Sequence, residues 1–271
     1  MSIKIAVAGG AGRMGRRIVA LTHSDSDLQV VAALEAADNE AIGSDAGELA
    51  GIRRISVPVA DQFDGEFDVL VDFSLPRGTM HWLNVCLMQD RPIVTGTTGL
   101  TDSDLEKLQE ASKQIAVLKA PNMSVGVNVL LRLARQLGGI LDASYDVEIT
   151  ETHHRFKVDA PSGTALALRD AVSEGRIASG AEEPTVVYGR HGETGQRPAG
   201  EIGLHSLRIG DTVGEHTVSF GTLGETITIG HAAHSRDTLA AGALRAAKWI
   251  ILRPPGLYDM QDVLFGDMRQ A

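Results

Sequence analysis

Three observations predict an α/β chain: a doubly wound parallel sheet followed by a second α+β domain with a mixed or antiparallel open sheet. The N-terminal segment is a short apolar strand that meets a glycine turn and then a helix. Strand and helix patterns alternate from there to about residue 122, which gives parallel strands joined by crossovers. Beyond Asp146 the pattern turns mostly to strands, the mark of a different architecture. These shifts put residues 1–124 and 235–271 in one domain and 125–234 in another.

The first element, Ile3 to Ala8, is rich in β-branched residues and reads as a buried parallel strand. Gly10, Gly12 and Gly15 then fit G-x-G-x-x-G, placed between a strand and a helix as that motif requires. Its first glycine permits a tight turn, its second lets backbone approach a pyrophosphate, and its third lets helix pack on strand. A second strand, Leu28 to Leu34, ends at Glu35, twenty positions after Gly15, where a ribose hydroxyl ligand is expected. The first domain is therefore Rossmann-like. Strands over Phe67–Phe73, Pro92–Thr95 and Ile115–Leu118 alternate with helices over about Gly78–Gln89 and Asp102–Lys113, the latter opened by a Thr101/Asp104 capping box. Ligands of such sheets sit beyond the C-terminal ends of the strands. The segments leaving those ends, Phe73 to Pro76, Gly96-Thr97-Thr98 and Ala120-Pro121-Asn122-Met123, are expected to line the nicotinamide half of a dinucleotide.

Val125 to Leu137 reads as an apolar helix ended by Gly138-Gly139. A helix is expected over Thr164–Val172, a long mobile loop over 182–200, and an antiparallel meander over Ile202–Ile209, Val213–Phe220 and Glu225–Ile229. Leu, Ile and Val on both faces of that open sheet predict packing on a second copy. A last helix, Asp237 to Leu252, is capped by Ser235 and halted by Pro254-Pro255.

Net charge −10 and a pI near 5.3 argue against non-specific nucleic-acid binding. No apolar run approaches the roughly 20 residues of a membrane span. A single cysteine, Cys86, excludes an intrachain disulfide and reads as a core residue. The N-terminus leads straight into a strand pattern, so no signal peptide is expected and the cytoplasm is the expected compartment.

Against this acidic background, His153, His154, Arg155 and Lys157 fall within five residues. Ser162-Gly163-Thr164 follows and opens a helix, whose unpaired N–H groups and positive dipole end suit an anion. Basic loop and helix start together predict a site for an acidic substrate, with a proton donor among those side chains. In an extended segment the rings of His153 and His154 face opposite ways. His231 and His234 have helical i, i+3 spacing, but no acidic partner completes a metal set, so no metal is expected.

Four stretches together resemble the 4-hydroxy-tetrahydrodipicolinate reductase (dihydrodipicolinate reductase) family. They are Gly9-Gly-Ala-Gly-Arg-Met-Gly15, Gly96-Thr-Thr98, Asn122-Met-Ser-Val-Gly-Val-Asn128 and the segment from Glu151 to Thr164. The resemblance spans nearly the whole chain, and the last stretch is the family-specific one. It implies reduction of a cyclic imine dicarboxylate by NAD(P)H in the diaminopimelate route to lysine. It implies that Gly9, Gly10, Ala11, Gly12, Arg13 and Met14 wrap the pyrophosphate, that Glu35 holds the adenosine ribose, and that Gly96 to Thr98 and Ala120 to Met123 meet the nicotinamide side. His153 and Lys157 match the family's proton donors, His154 a substrate ligand, and Gly163 and Thr164 the amides that grip a substrate carboxylate. Arg236 lies near the domain junction with a less defined role. The resemblance also implies a homotetramer built through the second domain's sheets.

Two departures qualify it. Glu35 is followed by Ala36 and Ala37, where family members that accept NADPH readily often carry arginine; NADH is thus the expected cofactor, with NADPH possible if Arg13 or another cation reaches the 2′-phosphate. Phe156 stands where histidine is often found, which removes a positive charge from the loop. A dehydrogenase for an amino acid or semialdehyde is one alternative; it needs its own nucleophile or base, and Cys86, in a helix, is poorly placed as a semialdehyde thiol. A non-enzymatic NAD(P)-binding redox sensor is the other, and it does not need His153, Lys157 and the Ser162-Gly163-Thr164 grip together.

Overall fold

The computed structural model describes residues 2–266, which divide into two compact units, one of residues 2–125 and 237–266 and one of 126–236. In the first unit the elements run β1 (Ile3–Ala8), α1 (Arg13–His23), β2 (Leu28–Leu34), α2 (Ala46–Leu49), β3 (Val59–Ala60), β4 (Val69–Asp72), α3 (Pro76–Gln89), β5 (Ile93–Thr95), α4 (Asp102–Ala111) and β6 (Ala116–Lys119). The chain continues through α5 (Val125–Ile140), β7 (Asp146–His153), α6 (Gly163–Ala178), β8 (Val186–Val187), β9 (Ile202–Arg208), β10 (Gly214–Thr222) and β11 (Glu225–Ala233). It ends in α7 (Asp237–Ile250), β12 (Gly256–Tyr258) and α8 (Met260–Phe265).

The first sheet has seven strands in the order β12-β6-β5-β4-β1-β2-β3, and every pairing is parallel. Its strands are buried on both faces, as the unbroken apolar runs predict. On one face Ile5, Val7, Val69 and Val71 pack with Ile18 and Val19 of α1 and Ala243 and Ala247 of α7. On the other, Ala6, Ala8 and Leu70 pack with Trp82, Leu83 and Cys86 of α3 and Leu108 of α4. Helices on both faces make the sheet doubly wound. Arg17 ties α1 to Asp237 at the start of α7 through two hydrogen bonds of 2.6 and 2.8 Å. The Thr101/Asp104 capping box is present at the start of α4. Strand order reverses between β1 and β4, so the crevice for a ligand opens at their C-terminal ends.

The second unit carries a five-stranded mixed sheet in the order β11-β10-β7-β9-β8. β10 pairs antiparallel with β11 and with β7, whereas β7–β9 and β9–β8 are parallel. The expected meander is therefore corrected: β9 and β10 follow one another in sequence, but β7 lies between them. Gly210-Asp211 is not a hairpin turn; its carbonyl at Gly210 instead accepts from Arg155 N at 3.0 Å, and Ile209 N donates to His153 O at 2.9 Å.

Val147, Ile149, Ile202, Leu204, Val218 and Phe220 face α5 and α6. The expectation of apolar residues on both faces is corrected as well. Alternation sends Thr150, Thr152, Thr217, Ser219, Thr226 and Thr228 to the opposite face, with Glu148 and His205 among them. Helix α5 runs through Gly138-Gly139 to Ile140 rather than ending there. The glycines serve helix contact. A Cβ on Gly138 would lie 2.5 Å from Val172 O, and one on Gly175 of α6 would overlap Arg135 O. Helix α6 also runs past its expected end, to Ala178. In segment 182–200, expected to be mobile, Arg190 pairs with Glu148 at 3.0 Å and with Glu201. Arg197 pairs with Asp146 at 2.6 Å and Glu148 at 3.1 Å. No helix among the described residues is long and apolar enough to cross a membrane.

Candidate functional site

Within the first unit, the glycine turn closes against its neighbours. Gly9 and Gly10 both donate to Leu34 O, at 2.9 and 3.1 Å. The left-handed residue is Gly9, with φ +74°, so the tight turn sits one position earlier than the motif implies. Gly10 instead lets the turn approach β2, where a Cβ would stand 3.0 Å from that of Ala33. A Cβ on Gly9 would lie 2.5 Å from Phe73 O at the end of β4, and one on Gly15 would overlap Gly9 O. Gly12 caps α1 without a side chain, leaving the helix start for an anion. Glu35 accepts from Ala11 N at 3.0 Å, so the acid at the end of β2 also braces the turn.

A cavity of about 1010 Å³ is lined by Gly9, Ala11, Gly12 and Glu35. Arg16 and Arg77 line it too, which the sequence reading missed. Arg16 donates from Nε to Ala11 O at 2.7 Å. Arg13 is exposed at the start of α1 and does not line the cavity, and Met14 packs on the core. Asp38 and Asp61 add two more carboxylates to the lining. The glycine cradle, helix start and cavity fit a dinucleotide.

The ends of β4 and β5 are tied together by Asp72, whose surface is wholly buried. Its carboxylate accepts from Ser74 Oγ (2.5 Å), Thr79 Oγ1 (2.6 Å), Thr95 Oγ1 (2.7 Å) and Thr97 Oγ1 (3.0 Å), and from Ser74 N (3.0 Å). Gly96 sits against the Phe73 ring, which leaves no room for a Cβ. Thr97 is thus fixed and buried, while Thr98 is exposed. Beyond β6, the side chains of Ala120 and Met123 are spent on packing in the core, Pro121 is exposed, and Asn122 accepts from Ser124 N at 2.9 Å.

Within the second unit, the basic stretch is organised by a residue the sequence reading passed over. Glu151 and His153 alternate on the helix-facing side of β7, continuing the row of Val147 and Ile149. Glu151 is completely buried. Its Oε2 lies 2.5 Å from His153 Nδ1, its Oε1 accepts from Ser162 N at 3.1 Å, and Arg208 of β9 donates to both oxygens at 2.9 Å. Burial alone pushes such a carboxyl up. Hydrogen bonds from Arg208 and His153 outweigh it and hold Glu151 at about 2, so it is ionised. Arg208 Nη2 donates as well to Asp159 O at 2.7 Å, and Asp159 takes the Lys157 ammonium on both oxygens at 2.8 and 2.9 Å. That ammonium holds the Asp159 carboxyl below its usual range.

Ser162 caps α6, accepting from Ala165 N at 3.2 Å, and its hydroxyl is 3.2 Å from Nε2 of His216. His216 lies on β10, 4% exposed, with its ring edge-on to His153 at 5.2 Å. Burial, followed by the nearby His153, pushes it down to about 4, so it is neutral at pH 7. The space around the Gly163 Cβ position is open, and Thr164 follows it in the first turn of α6. The Gly214 Cβ position is 3.0 Å from His153 Nε2; the missing side chain leaves room at that nitrogen.

His153, Lys157 and the Ser162 cap of α6, which Gly163 and Thr164 follow, are thus brought into one network. His154 is outside it. Its Nδ1 is buried without a hydrogen-bond partner among the described residues, and its ring stands 6.3 Å from that of Phe156, which is 78% exposed. His231 lies on strand β11 and packs at Gly126, and His234 lies just past the strand's end, so the helical spacing drawn for His231 and His234 is corrected: neither is in a helix. Cys86 is fully buried and burial raises its thiol, in keeping with a core residue.

Residues 3–123 match the family model described as dihydrodipicolinate reductase, N-terminus, and residues 126–264 the one described as dihydrodipicolinate reductase, C-terminus. The chain is 45% identical over 267 residues to the 4-hydroxy-tetrahydrodipicolinate reductase of Magnetococcus marinus, covering 97% of this chain and 99% of that protein. It is 46% identical over 268 residues to the enzyme of the same name from Thiobacillus denitrificans, again covering 97% and 99%. Among solved structures, the dipicolinate-bound dihydrodipicolinate reductase from Paenisporosarcina sp. TG-14 matches with a TM-score of 0.74 at 25% identity over 97% of this chain and 99% of that one.

Proposed function

The chain belongs to the dihydrodipicolinate reductase family, and from that premise we propose the reaction and the roles of its residues. It is an NAD(P)H-dependent oxidoreductase that reduces 4-hydroxy-tetrahydrodipicolinate, by way of dihydrodipicolinate, to tetrahydrodipicolinate in the diaminopimelate route to lysine. The observation that carries the residue assignment is Glu151. One buried carboxylate holds His153, anchors the Ser162 start of α6, and through Arg208 reaches the turn that bears Lys157.

Bound NAD(P)H supplies the hydride. Negative charge then develops on the conjugated ring of the substrate. The Lys157 ammonium stabilises it, and His153, as the imidazolium whose Nδ1–H is held by Glu151, gives up its Nε2 proton and becomes the neutral Nδ1–H ring. Gly163 and Thr164 offer backbone N–H groups at the start of α6 to one substrate carboxylate. His154 serves as a further substrate ligand. On the cofactor side, Gly9 to Met14 hold the pyrophosphate, Glu35 the ribose, and Gly96 to Thr98 with Ala120 to Met123 the nicotinamide.

The preferred cofactor is NADH. Glu35, Asp38 and Asp61 line the adenosine cavity and oppose a 2′-phosphate, while Arg16 and Arg77 give NADPH a weaker hold. A kcat/KM for NADPH equal to or above that for NADH refutes the preference. The protein works in the cytoplasm as a homotetramer, its polar Thr- and Ser-rich sheet face meeting another copy; a monomer by light scattering rules that out.

The reaction is tested by following NADH oxidation on freshly made dihydrodipicolinate synthase product. His153→Ala and Lys157→Ala each lower kcat about 100-fold, the scale for losing a positioned acid. Unchanged turnover in both removes the mechanism.

A further inference from the structure

Arg208 and Glu151 lie behind the Gly163 and Thr164 amides and the open side of His153, and the hydrogen bonds of the pair run to His153, to Ser162 at the start of the grip and to the turn that bears Lys157. The Arg208 guanidinium takes both oxygens of Glu151 in the fork geometry that arginine alone provides, each at 2.9 Å. The same side chain donates to Asp159 O at 2.7 Å, two residues from Lys157. Glu151 accepts from His153 Nδ1 and Ser162 N. An ionised carboxylate only accepts, so the hydrogen on Nδ1 belongs to the imidazole. This leaves Nε2 as the nitrogen facing the space at Gly214.

We propose that Glu151 and Arg208 are a positioning pair: Glu151 fixes the ring tautomer and orientation of His153, and Arg208 fixes Glu151 and the Lys157 turn in register with each other. The pair rests on the reading of His153 and Lys157 as proton donors. It adds two residues on separate strands, β7 and β9, to what the reaction depends on. Both donors and the start of α6 are set by one rigid contact between neighbouring parallel strands, whose register places Glu151 beside Ser206 and His153 beside Arg208. Losing the tautomer-fixing carboxylate of an imidazole acid–base lowers kcat by up to about 10⁴ in a serine protease triad. His153 shares the work with Lys157 here, so the expected loss is about 100-fold, the scale for losing one positioned acid.

The test is long-range ¹H–¹⁵N spectroscopy of the His153 ring in the wild-type protein and in Glu151→Gln and Arg208→Lys, with kcat and KM for each. In wild type the neutral ring carries its proton on Nδ1. In Glu151→Gln the amide donates toward the ring, so the neutral ring carries its proton on Nε2; the imidazolium loses the carboxylate that holds its Nδ1–H, and kcat falls about 100-fold. In Arg208→Lys the carboxylate stays, so the tautomer is unchanged while kcat falls about tenfold. A purely structural role lowers thermal stability in both variants without moving the tautomer. A wild-type ring protonated on Nε2 overturns the proposal even when neither variant folds. So does a Glu151→Gln protein with wild-type tautomer or kcat. Failure of the wild type to turn over the substrate sinks the proposed reaction, while the ring spectrum still decides the role of the pair.

Discussion

Asp72 and Glu151 are two carboxylates with no exposed surface, one in each unit, and their negative charges are met in opposite ways. The donors on Asp72 are neutral among the described residues: four hydroxyls and one backbone N–H. Glu151 is met by a guanidinium fork and an imidazole. Short neutral donors can come from many points, so Asp72 gathers the start of α3 and the loops after β4 and β5 into one shape. That is the demand of a binding surface. A charged fork comes from one direction and fixes geometry tightly, which is the demand of proton transfer. Under the proposed mechanism, the contrast gives shape to the first carboxylate and reactive alignment to the second.

The largest expected effect concerns a charge left unpaired. Arg208→Ala strands the Glu151 carboxylate in a buried site and lowers stability by about 3–5 kcal/mol, read from urea unfolding. A loss below 1 kcal/mol means Glu151 is solvated or protonated instead, and the contrast with Asp72 collapses.

Acid titration sharpens the same comparison. His216 is held at about 4 against an ordinary 6.5, so the unfolded chain takes up a proton that the folded one refuses. Its share of the stability is therefore intact above pH 6.5 and lost as pH falls to about 4, on the order of 3 kcal/mol at most. Glu151 is held at about 2, so its share is intact above the ordinary carboxylate range and lost as pH falls from there toward 2. Unfolding free energies measured from pH 7 to 3 show both windows in the wild type, and His216→Phe lacks the upper one. A flat profile from pH 7 to 4 in the wild type contradicts a buried neutral His216.

Asp72→Asn replaces an acceptor of five hydrogen bonds with a group that must donate from one side. It costs about 1–3 kcal/mol and leaves at least one hydroxyl without an acceptor. Thermal denaturation checks it; an unchanged Tm means the clasp is incidental.

The smallest effect is expected at Asp159, which is 58% exposed. Asp159→Asn changes stability by less than about 1 kcal/mol, as for other exposed ion pairs. A larger loss in urea unfolding places Asp159 with the buried hub rather than beside it.

What could be read in advance follows local spacing. The β1-α1-β2 unit, with its glycine turn and Glu35, is encoded within about 35 residues, and the structure places it at the β1/β4 crevice. The stretch from His153 to Thr164 is equally local. Arg208 and His216 lie more than fifty residues from Glu151 and carry no motif; only strand pairing brings them there. Glu151 itself was legible in principle, since a carboxylate two positions before His153 shares its face of a strand. The position of β9 beyond β7 was not legible, because the chain from Ile209 to Val213 looks like a hairpin turn. The glycines at 138 and 139 imitate a helix end in sequence and prove, with Gly175, to be contact points between α5 and α6.

The division between shape and alignment is tested most directly by steady-state kinetics of Asp72→Asn and Glu151→Gln, with NADH varied at saturating substrate. The account predicts that Asp72→Asn raises KM for NADH by a larger factor than it lowers kcat, and that Glu151→Gln lowers kcat by a larger factor than it raises KM. The opposite order in either variant contradicts it.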